Sequence, residues 1–347
     1  MRSMIFGVGG QDGSYLAELL LKEGHEVIGV ARRTSTGNLD RLTVLEHKNF
    51  RLVRGDITDY AAVYSTLSRY VPDHIYNLAA QSHVGTSFNE PLSSLDITGK
   101  GCLNILEAIR QLSDEYAYSP RFYQASSSEM FGSAYSTKIV DQGGNDLDGY
   151  KIEEKYQNED TPFQPQSPYA VAKLTAHKFC GMYREAYNIH ARCGILFNHE
   201  GERRGEEFVT RKITKYIAKL VHSIKQEKRI PLLKLGDVSP TRDWGHAEDY
   251  VKAMKMIMDS DLDRDWVVST GYTYTIRQFL EEAFEFVELD YINHVSLNNS
   301  SLLRPAEVNY LKGDSSQIRA LLGWKPLIDF PQLVKRMVKH DIENYKE

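Results

Sequence analysis

MIFGVGGQDGSYLAELLLKEGHEVIGVA, residues 4–31, holds in order an apolar strand end (Ile5-Phe6), a glycine turn, a helix (Tyr15 to Glu23) and a second apolar strand (Glu26 to Ala31). Gly7, Gly10 and Gly13 fall at GxxGxxG spacing within the turn. Glycines there let the backbone approach a pyrophosphate and let helix pack on strand, while the helix N-terminus offers N–H groups and a positive dipole end. The unit therefore reads as a dinucleotide-binding turn at the start of an α/β fold, a Rossmann-type doubly wound parallel sheet. The second strand ends Val30-Ala31-Arg32-Arg33. A carboxylate there would bind a ribose 2′-hydroxyl, whereas two arginines and no local acid favour a 2′-phosphate, and so NADP over NAD. The alternative is that Arg32 and Arg33 are solvated loop charges.

The 347 residues suffice for one large α/β domain or two lobes. A formal charge of −5 leaves no basic footprint for nucleic acid. MRSMIF runs straight into the glycine turn with no visible signal peptide, and no apolar run is long enough to span a bilayer, so a cytoplasmic protein without a membrane partner is expected. Cys102, Cys180 and Cys193 stand singly, without metal-ligand or CxxC spacing, and read as reduced, buried thiols; no metal site is expected.

Outward from the first unit, Phe50 to Arg54 reads as a third strand, followed by a turn with Asp56, which could accept from an adenine amine or cap the helix at 60–71. His74 to Gln81 is a buried strand ending in small residues, where backbone can approach a cofactor. Helix is expected from about Asp96 to Leu112. Phe122 to Ala125 is a strand running into Ser126-Ser127-Ser128-Glu129. Catalytic groups gather at the carboxyl ends of parallel strands, which makes Ser127 and Glu129 candidates; the alternative is a polar turn with a helix cap. Residues 132–167 are polar and rich in Gly and Asp, and read as a long surface loop or small excursion, whose length leaves disorder or a lid as alternatives.

SPYAVAK, Ser167 to Lys173, opens an amphipathic helix and sets Tyr169 and Lys173 about one turn apart on one face. An ammonium beside a phenol favours phenolate, so Lys173 is expected to lower the Tyr169 pKa from roughly 10 toward a value suited to a general base. The alternative is a packed tyrosine beside a solvated lysine. A strand Ala191 to Phe197 ends in Asn198-His199-Glu200, and the basic run Arg203 to Ile213 follows at the same sheet edge.

Glycine turn, Ser/Glu strand end and YxxxK, in that order, resemble the extended short-chain dehydrogenase/reductase superfamily of nucleotide-sugar enzymes. A closer resemblance is to the GDP-mannose 4,6-dehydratase family, carried by GQDGSYLAE (Gly10 to Glu18), NLAAQSHV (Asn77 to Val84), QASSSEMFG (Gln124 to Gly132), ILFNHE with RRGEEFVTRKI (Ile195 to Ile213), TRDWGHAEDYV (Thr241 to Val251) and RPAEV (Arg304 to Val308). The resemblance implies Tyr169 as base, Lys173 as its partner, Glu129 as the acid/base at sugar C5, and Ser127 where the family has threonine. It implies cofactor contacts from Gly7, Gly10, Gln11, Asp12, Gly13, Arg32, Arg33, Asp56, Ile57, Leu78, Ala79, Ala80, Tyr169, Lys173, His199 and Arg204. It implies GDP-sugar contacts from Ser82, Ser127, Glu129, Asn198, Val209, Lys212, Gly236, Arg242, Arg304 and Glu307.

The reaction so implied is oxidation at sugar C4 by NADP, loss of water across C5 and C6, and hydride return to C6. An epimerase or reductase on a GDP-sugar, a dehydratase of a GDP-manno-heptose, and a non-catalytic dinucleotide sensor are the alternatives. The expected domains are residues 1–197 with about 237–270 for NADP, and a smaller interleaved lobe, 198–236 with about 271–347, for the GDP-sugar. A homodimer is implied through helices near Leu103 and Thr175, or a homotetramer built at the loop from Arg33 to Arg41.

Overall fold

The computed structural model describes residues 1–33, 39–142 and 150–346. Seven strands, β1 (Arg2–Phe6), β2 (Glu26–Ala31), β3 (Phe50–Arg54), β4 (His74–Asn77), β5 (Arg121–Ser127), β6 (Ala191–Leu196) and β7 (Asp265–Val268), form one sheet. Its order is β7-β6-β5-β4-β1-β2-β3, with every pair parallel. The chain reverses direction across the sheet between β1 and β4, and in such sheets ligands bind beyond the carboxyl ends of the strands at that reversal.

Alternate residues of each strand face opposite cores. Ile5, Val27, Tyr76, Tyr123 and Val268 pack beneath the helices Gln11–Lys22 and Ala247–Asp259, which contribute Leu16, Leu20, Val251, Met254 and Met258. Met4, Phe6, Ile28, Ile75 and Phe122 pack beneath the helices Tyr60–Tyr70, Gly101–Tyr116 and Pro168–Tyr187, which contribute Leu67, Ile105, Ile109 and Ala176. Covering both faces is what makes these strands read as continuous apolar runs.

A further core is built from the helices Val209–Lys225, Ile276–Glu285 and Phe330–Glu343, through Ile213, Ile217, Phe279, Phe284, Leu333 and Met337. Tyr274 stacks on Phe330 at 3.9 Å between ring centres. The chain then crosses back, because Ile318 and Trp324 join the first sheet core and Trp324 Nε1 donates to the Asp249 carbonyl at 2.9 Å. No helix among the described residues is long and apolar enough to cross a membrane.

The structure departs from the sequence reading in three places. The first helix begins at Gln11, not Tyr15, since its polar first turn carries no apolar periodicity. Helix begins at Val84, well before Asp96, and reaches Tyr116 through Pro91–Ser94 and a π turn, Leu95–Lys100. The connection read as a loop contains an antiparallel hairpin, Ser136–Gln142 with Tyr150–Tyr156, whose tip lies outside the described residues. Its base docks on the later lobe, where the Tyr310 hydroxyl donates to the Lys155 carbonyl at 2.9 Å and Lys312 pairs with Glu154. A polar ribbon held by distant partners has no local apolar pattern to announce it.

A Cβ at Gly13 would lie 2.4 Å from the Gly7 carbonyl oxygen and 2.7 Å from Val8 Cα. Backbone cannot yield as a side-chain tip can, so Gly13→Ala should cost about 1–3 kcal/mol in denaturant unfolding, with weaker dinucleotide binding in a fluorescence titration.

Candidate active site

Ser167 starts the helix Pro168–Tyr187 by accepting from the Ala170 N–H at 3.1 Å, with Pro168 in the first turn. Tyr169 and Lys173 are thereby turned inward, and both are buried. Lys173 Nζ donates to the Ala125 carbonyl at 2.7 Å, which ties the helix to the end of β5. Ser127 ends that strand and accepts from the Glu129 N–H at 3.3 Å, opening the 3₁₀ turn Ser128–Phe131. The strand end therefore carries both candidate groups, and the turn is also a capped one.

The phenol departs from expectation. Burial pushes Tyr169 up to about 12, with the Glu129 charge adding to the rise, while a hydrogen bond with Ser127 and the Arg204 charge pull it down. Burial outweighs the positive charge near the phenol, and the Lys173 ammonium is bonded to the Ala125 carbonyl with its Nζ 5.9 Å from the tyrosine ring centre. Burial also draws Lys173 down to about 8.

The glycine turn forms a cradle that a Cβ would fill. Gly7 has φ +83°, and a Cβ there would lie 2.8 Å from the Ala79 nitrogen, so the turn backs directly onto Leu78 and Ala79. Gly10 precedes the helix with no side chain capping it, which suits a pyrophosphate there. Asp12 and His199 form a pair, Oδ2 to Nε2 at 2.8 Å, while His199 Nδ1 faces the Phe197 carbonyl at 2.7 Å. Both neighbours are acceptors, so both ring nitrogens carry hydrogen and the ring is an imidazolium. Burial alone would raise Asp12, but His199 holds it at about 2; burial alone would lower His199, but Asp12 raises it. Gln11 Nε2 adds a bond to the His199 carbonyl at 3.1 Å. Beyond it, Arg204 Nε lies 3.0 Å from Glu200 Oε2 and its guanidinium stacks 3.7 Å from the Phe208 ring centre.

Asp56 turns out to serve a different cap from the one expected. Its carboxylate accepts from the N–H and hydroxyl of Thr58, and Asp59 caps the helix Tyr60–Tyr70 by accepting from Ala62 N–H at 3.2 Å. Ile57 is buried, with its carbonyl accepting from Asn104 Nδ2 at 2.9 Å. Arg32 and Arg33 are exposed at the end of β2, and part of the loop from Arg33 to Arg41 lies outside the described residues.

Three of the residues expected to hold the sugar nucleotide converge, since Glu307 Oε1 accepts from Arg242 Nη2 at 2.8 Å and from Arg304 Nη1 at 3.2 Å. Asn198 pairs with Trp244 across two short parallel strands. Val209 opens the helix Val209–Lys225, and Lys212 Nζ reaches the Lys234 carbonyl at 3.2 Å. Gly236 abuts the Leu302 carbonyl, and exposed Ser82 precedes His83, whose ring meets Phe208 edge-on at 5.4 Å.

Two groups escaped the sequence reading. Asp243 accepts from Thr270 N–H and hydroxyl, Gly271 N–H and Gly313 N–H, joining three segments beside Arg242. His177 lies on the Tyr169 and Lys173 face of its helix; its signal was the further step of four. The cysteines, free and buried as expected, are not scattered in space, for Cys102 and Cys180 Sγ lie 3.8 Å apart.

A nucleotide cradle, a buried Tyr and Lys and a Ser/Glu strand end on one sheet edge define a dinucleotide-dependent enzyme of the extended Rossmann type. The chain belongs to the NAD dependent epimerase/dehydratase family, which residues 3–269 match. Within it the chain is similar to GDP-mannose 4,6 dehydratase 1 of Arabidopsis thaliana, 41% identical over 98% of this chain and 90% of the relative. It is likewise similar to GDP-mannose 4,6 dehydratase of Drosophila melanogaster, 42% identical over 98% of this chain and 86% of the relative. Among solved structures, Thermus thermophilus UDP-glucose 4-epimerase in complex with NAD has the same fold, with a TM-score of 0.80 at 22% identity over 99% of this chain and 100% of that one.

The Asp12–His199 pair sets a pH window. Asp12, lowered from 3.8 to about 2, contributes stability above pH 4 that is lost as pH falls toward 2. His199, raised above 6.5, contributes stability below that value which is lost as pH rises through its folded pKa. Asp12→Asn should therefore cost about 2–3 kcal/mol near pH 6 and move the His199 imidazole resonance to a lower titration midpoint by NMR.

Proposed function

We propose that this chain is an NADP-dependent GDP-mannose 4,6-dehydratase, a hydro-lyase that converts GDP-D-mannose to GDP-4-keto-6-deoxy-D-mannose. The observation that carries the reading is the meeting of Tyr169, Lys173, Ser127 and Glu129 at the carboxyl end of β5, in a chain about 40% identical to named GDP-mannose 4,6-dehydratases over nearly its whole length. The cofactor is a nicotinamide dinucleotide. Arg32 and Arg33, exposed where a ribose carboxylate would otherwise stand, favour its 2′-phosphate form.

Gly7, Gly10, Gly13 and the start of the helix Gln11–Lys22 hold the pyrophosphate, with Asp12 and His199 closing the far side. Bound nicotinamide supplies a reversible hydride acceptor for sugar C4 and a donor for C6. At rest Tyr169 holds its proton, since burial has raised the phenol to about 12. Positive charge brought into the site works against burial and prepares the phenol to take the proton from O4. Ser127 hydrogen-bonds the same oxygen, and Lys173 keeps the phenol in place. Once C4 is a ketone, the C5 proton is acidic; Glu129 removes it, and the 6-hydroxyl leaves as water with a proton from Glu129 or Tyr169. Arg242 and Arg304 match the charge of the diphosphate, and Glu307 suits ribose hydroxyls or guanine N–H groups.

In this reading residues 1–197 with about 237–270 bind the cofactor, and 198–236 with about 271–347 bind the GDP-sugar. The enzyme works as a cytoplasmic homodimer or homotetramer.

Incubation with GDP-mannose and with GDP-manno-heptose, with the products weighed, tests the reading. A dehydratase product is lighter by one water, an epimerase product has unchanged mass, and no turnover on either sugar overturns the assignment. Tyr169→Phe should lower kcat by roughly 10²–10⁴ with GDP-mannose binding retained. Glu129→Gln should abolish water loss while still exchanging hydride at C4, visible as isotope transfer without dehydration.

A further inference from the structure

We propose that His177 is a positioning residue for the Tyr169–Lys173 pair, holding the helix Pro168–Tyr187 in register against the ends of two sheet strands. The inference rests on the reading of Tyr169 as the base. Tyr169, Lys173 and His177 recur every four residues and share one helical face. That face meets the last three residues of β5: the Tyr169 hydroxyl stands beside Ser127, Lys173 Nζ bonds the Ala125 carbonyl at 2.7 Å, and His177 Nδ1 bonds Ser126 Oγ at 3.0 Å.

The other side of the imidazole faces β7, where Asp265 Oδ2 lies 3.4 Å from Nε2. Asp265 Oδ1 in turn accepts from Arg184 Nη2 at 2.7 Å, two turns further along the same helix. The Cys193 side chain also hydrogen-bonds the ring, and Nδ1 is left to meet the Ser126 hydroxyl. The ring is almost fully buried and pinned from two strands at once, so the helix is held against both rotation and sliding. An apolar side chain of the same volume would fill the space without fixing register, because apolar contact has no direction and a hydrogen bond does.

His177, Cys193 and Asp265 bring ligand atoms within 4.8 Å of one another, a spacing a cation could bridge. Here the ring bonds Ser126 through Nδ1 and is also bonded to the Cys193 side chain, while Asp265 faces Nε2 and holds Arg184, so the three groups form a hydrogen-bond network with one another. A one-residue slip of a helix is 1.5 Å, and misplacement of about 1 Å at a reacting group can cost on the order of 10²-fold in rate.

The test compares His177→Leu, His177→Asn and Ser126→Ala by steady-state kinetics on GDP-mannose and by crystallography. His177→Leu should lower kcat by about 10- to 100-fold with little change in KM or cofactor affinity, and its crystal structure should show the Tyr169 hydroxyl moved away from Ser127. His177→Asn, whose amide can still meet Ser126, should recover most of the loss. The double variant with Ser126→Ala should be no worse than His177→Leu alone. Wild-type kcat in His177→Leu, additive losses in the double variant, or Tyr169 and Lys173 unmoved in the crystal would each overturn the proposal. Should His177→Leu not fold, Ser126→Ala and His177→Asn carry the same comparison. A wild-type protein inert on GDP-sugars would instead fail the reading of the reaction, and the position of Tyr169 in the variant crystals would still decide this one.

Discussion

A buried ammonium needs an acceptor, and Lys173 has the Ala125 carbonyl. Much follows from that one bond. A charge withdrawn from water is tolerated only when paired or hydrogen-bonded, so the lysine cannot leave the strand end without a large cost. The bond therefore fixes where the helix Pro168–Tyr187 stands, and with it the depth of Tyr169. The same burial explains why the phenol sits at about 12 and the ammonium at about 8. The phenol keeps its proton at rest although charged groups stand around it.

The two lobes are joined by polar groups as much as by apolar surface. Asp243 gathers backbone N–H groups from residues 270, 271 and 313, and Glu307 holds Arg242 and Arg304 together. Glu202 accepts from Tyr15 on the cofactor side and from Arg336 in the last helix. Each such bond has a direction, so together they fix how the further helical core stands against the sheet. Apolar packing alone would leave that placement loosely defined.

How much of this could be read from the residues follows from how local each signal is. The unit at residues 4–31 was legible because strand, turn and helix are encoded within one short stretch, and Gly7 and Gly13 stand where any Cβ would strike backbone. Tyr169 and Lys173 were legible as a pair but not in their electrostatics, because the acceptor of the lysine is a backbone carbonyl 48 residues away. Of the two roles read for Asp56, the helix cap falls to Asp59, while the Asp56 carboxylate accepts from Thr58. Asp243 and the meeting of Cys102 with Cys180 were invisible because their partners are distant in the chain, and His177 showed only the further step of four, not its bond to Ser126. The hairpin at 136–156 was missed because its few apolar residues, Ile139, Val140 and Ile152, sit in a Gly- and Asp-rich polar stretch, and it is held by partners beyond residue 309.

The late return of the chain to the sheet has a consequence for how the protein is made. Six of the seven strands lie before residue 197, yet the helix Ala247–Asp259, strand β7 and Trp324, which cover and close one sheet face, come much later. As the polypeptide leaves the ribosome, Leu16, Leu20 and their strand neighbours wait uncovered until the helix Ala247–Asp259, and then Trp324, have been synthesised. That interval is when an open apolar face is most open to aggregation or chaperone capture. The sheet is thus mostly translated first and sealed nearly last.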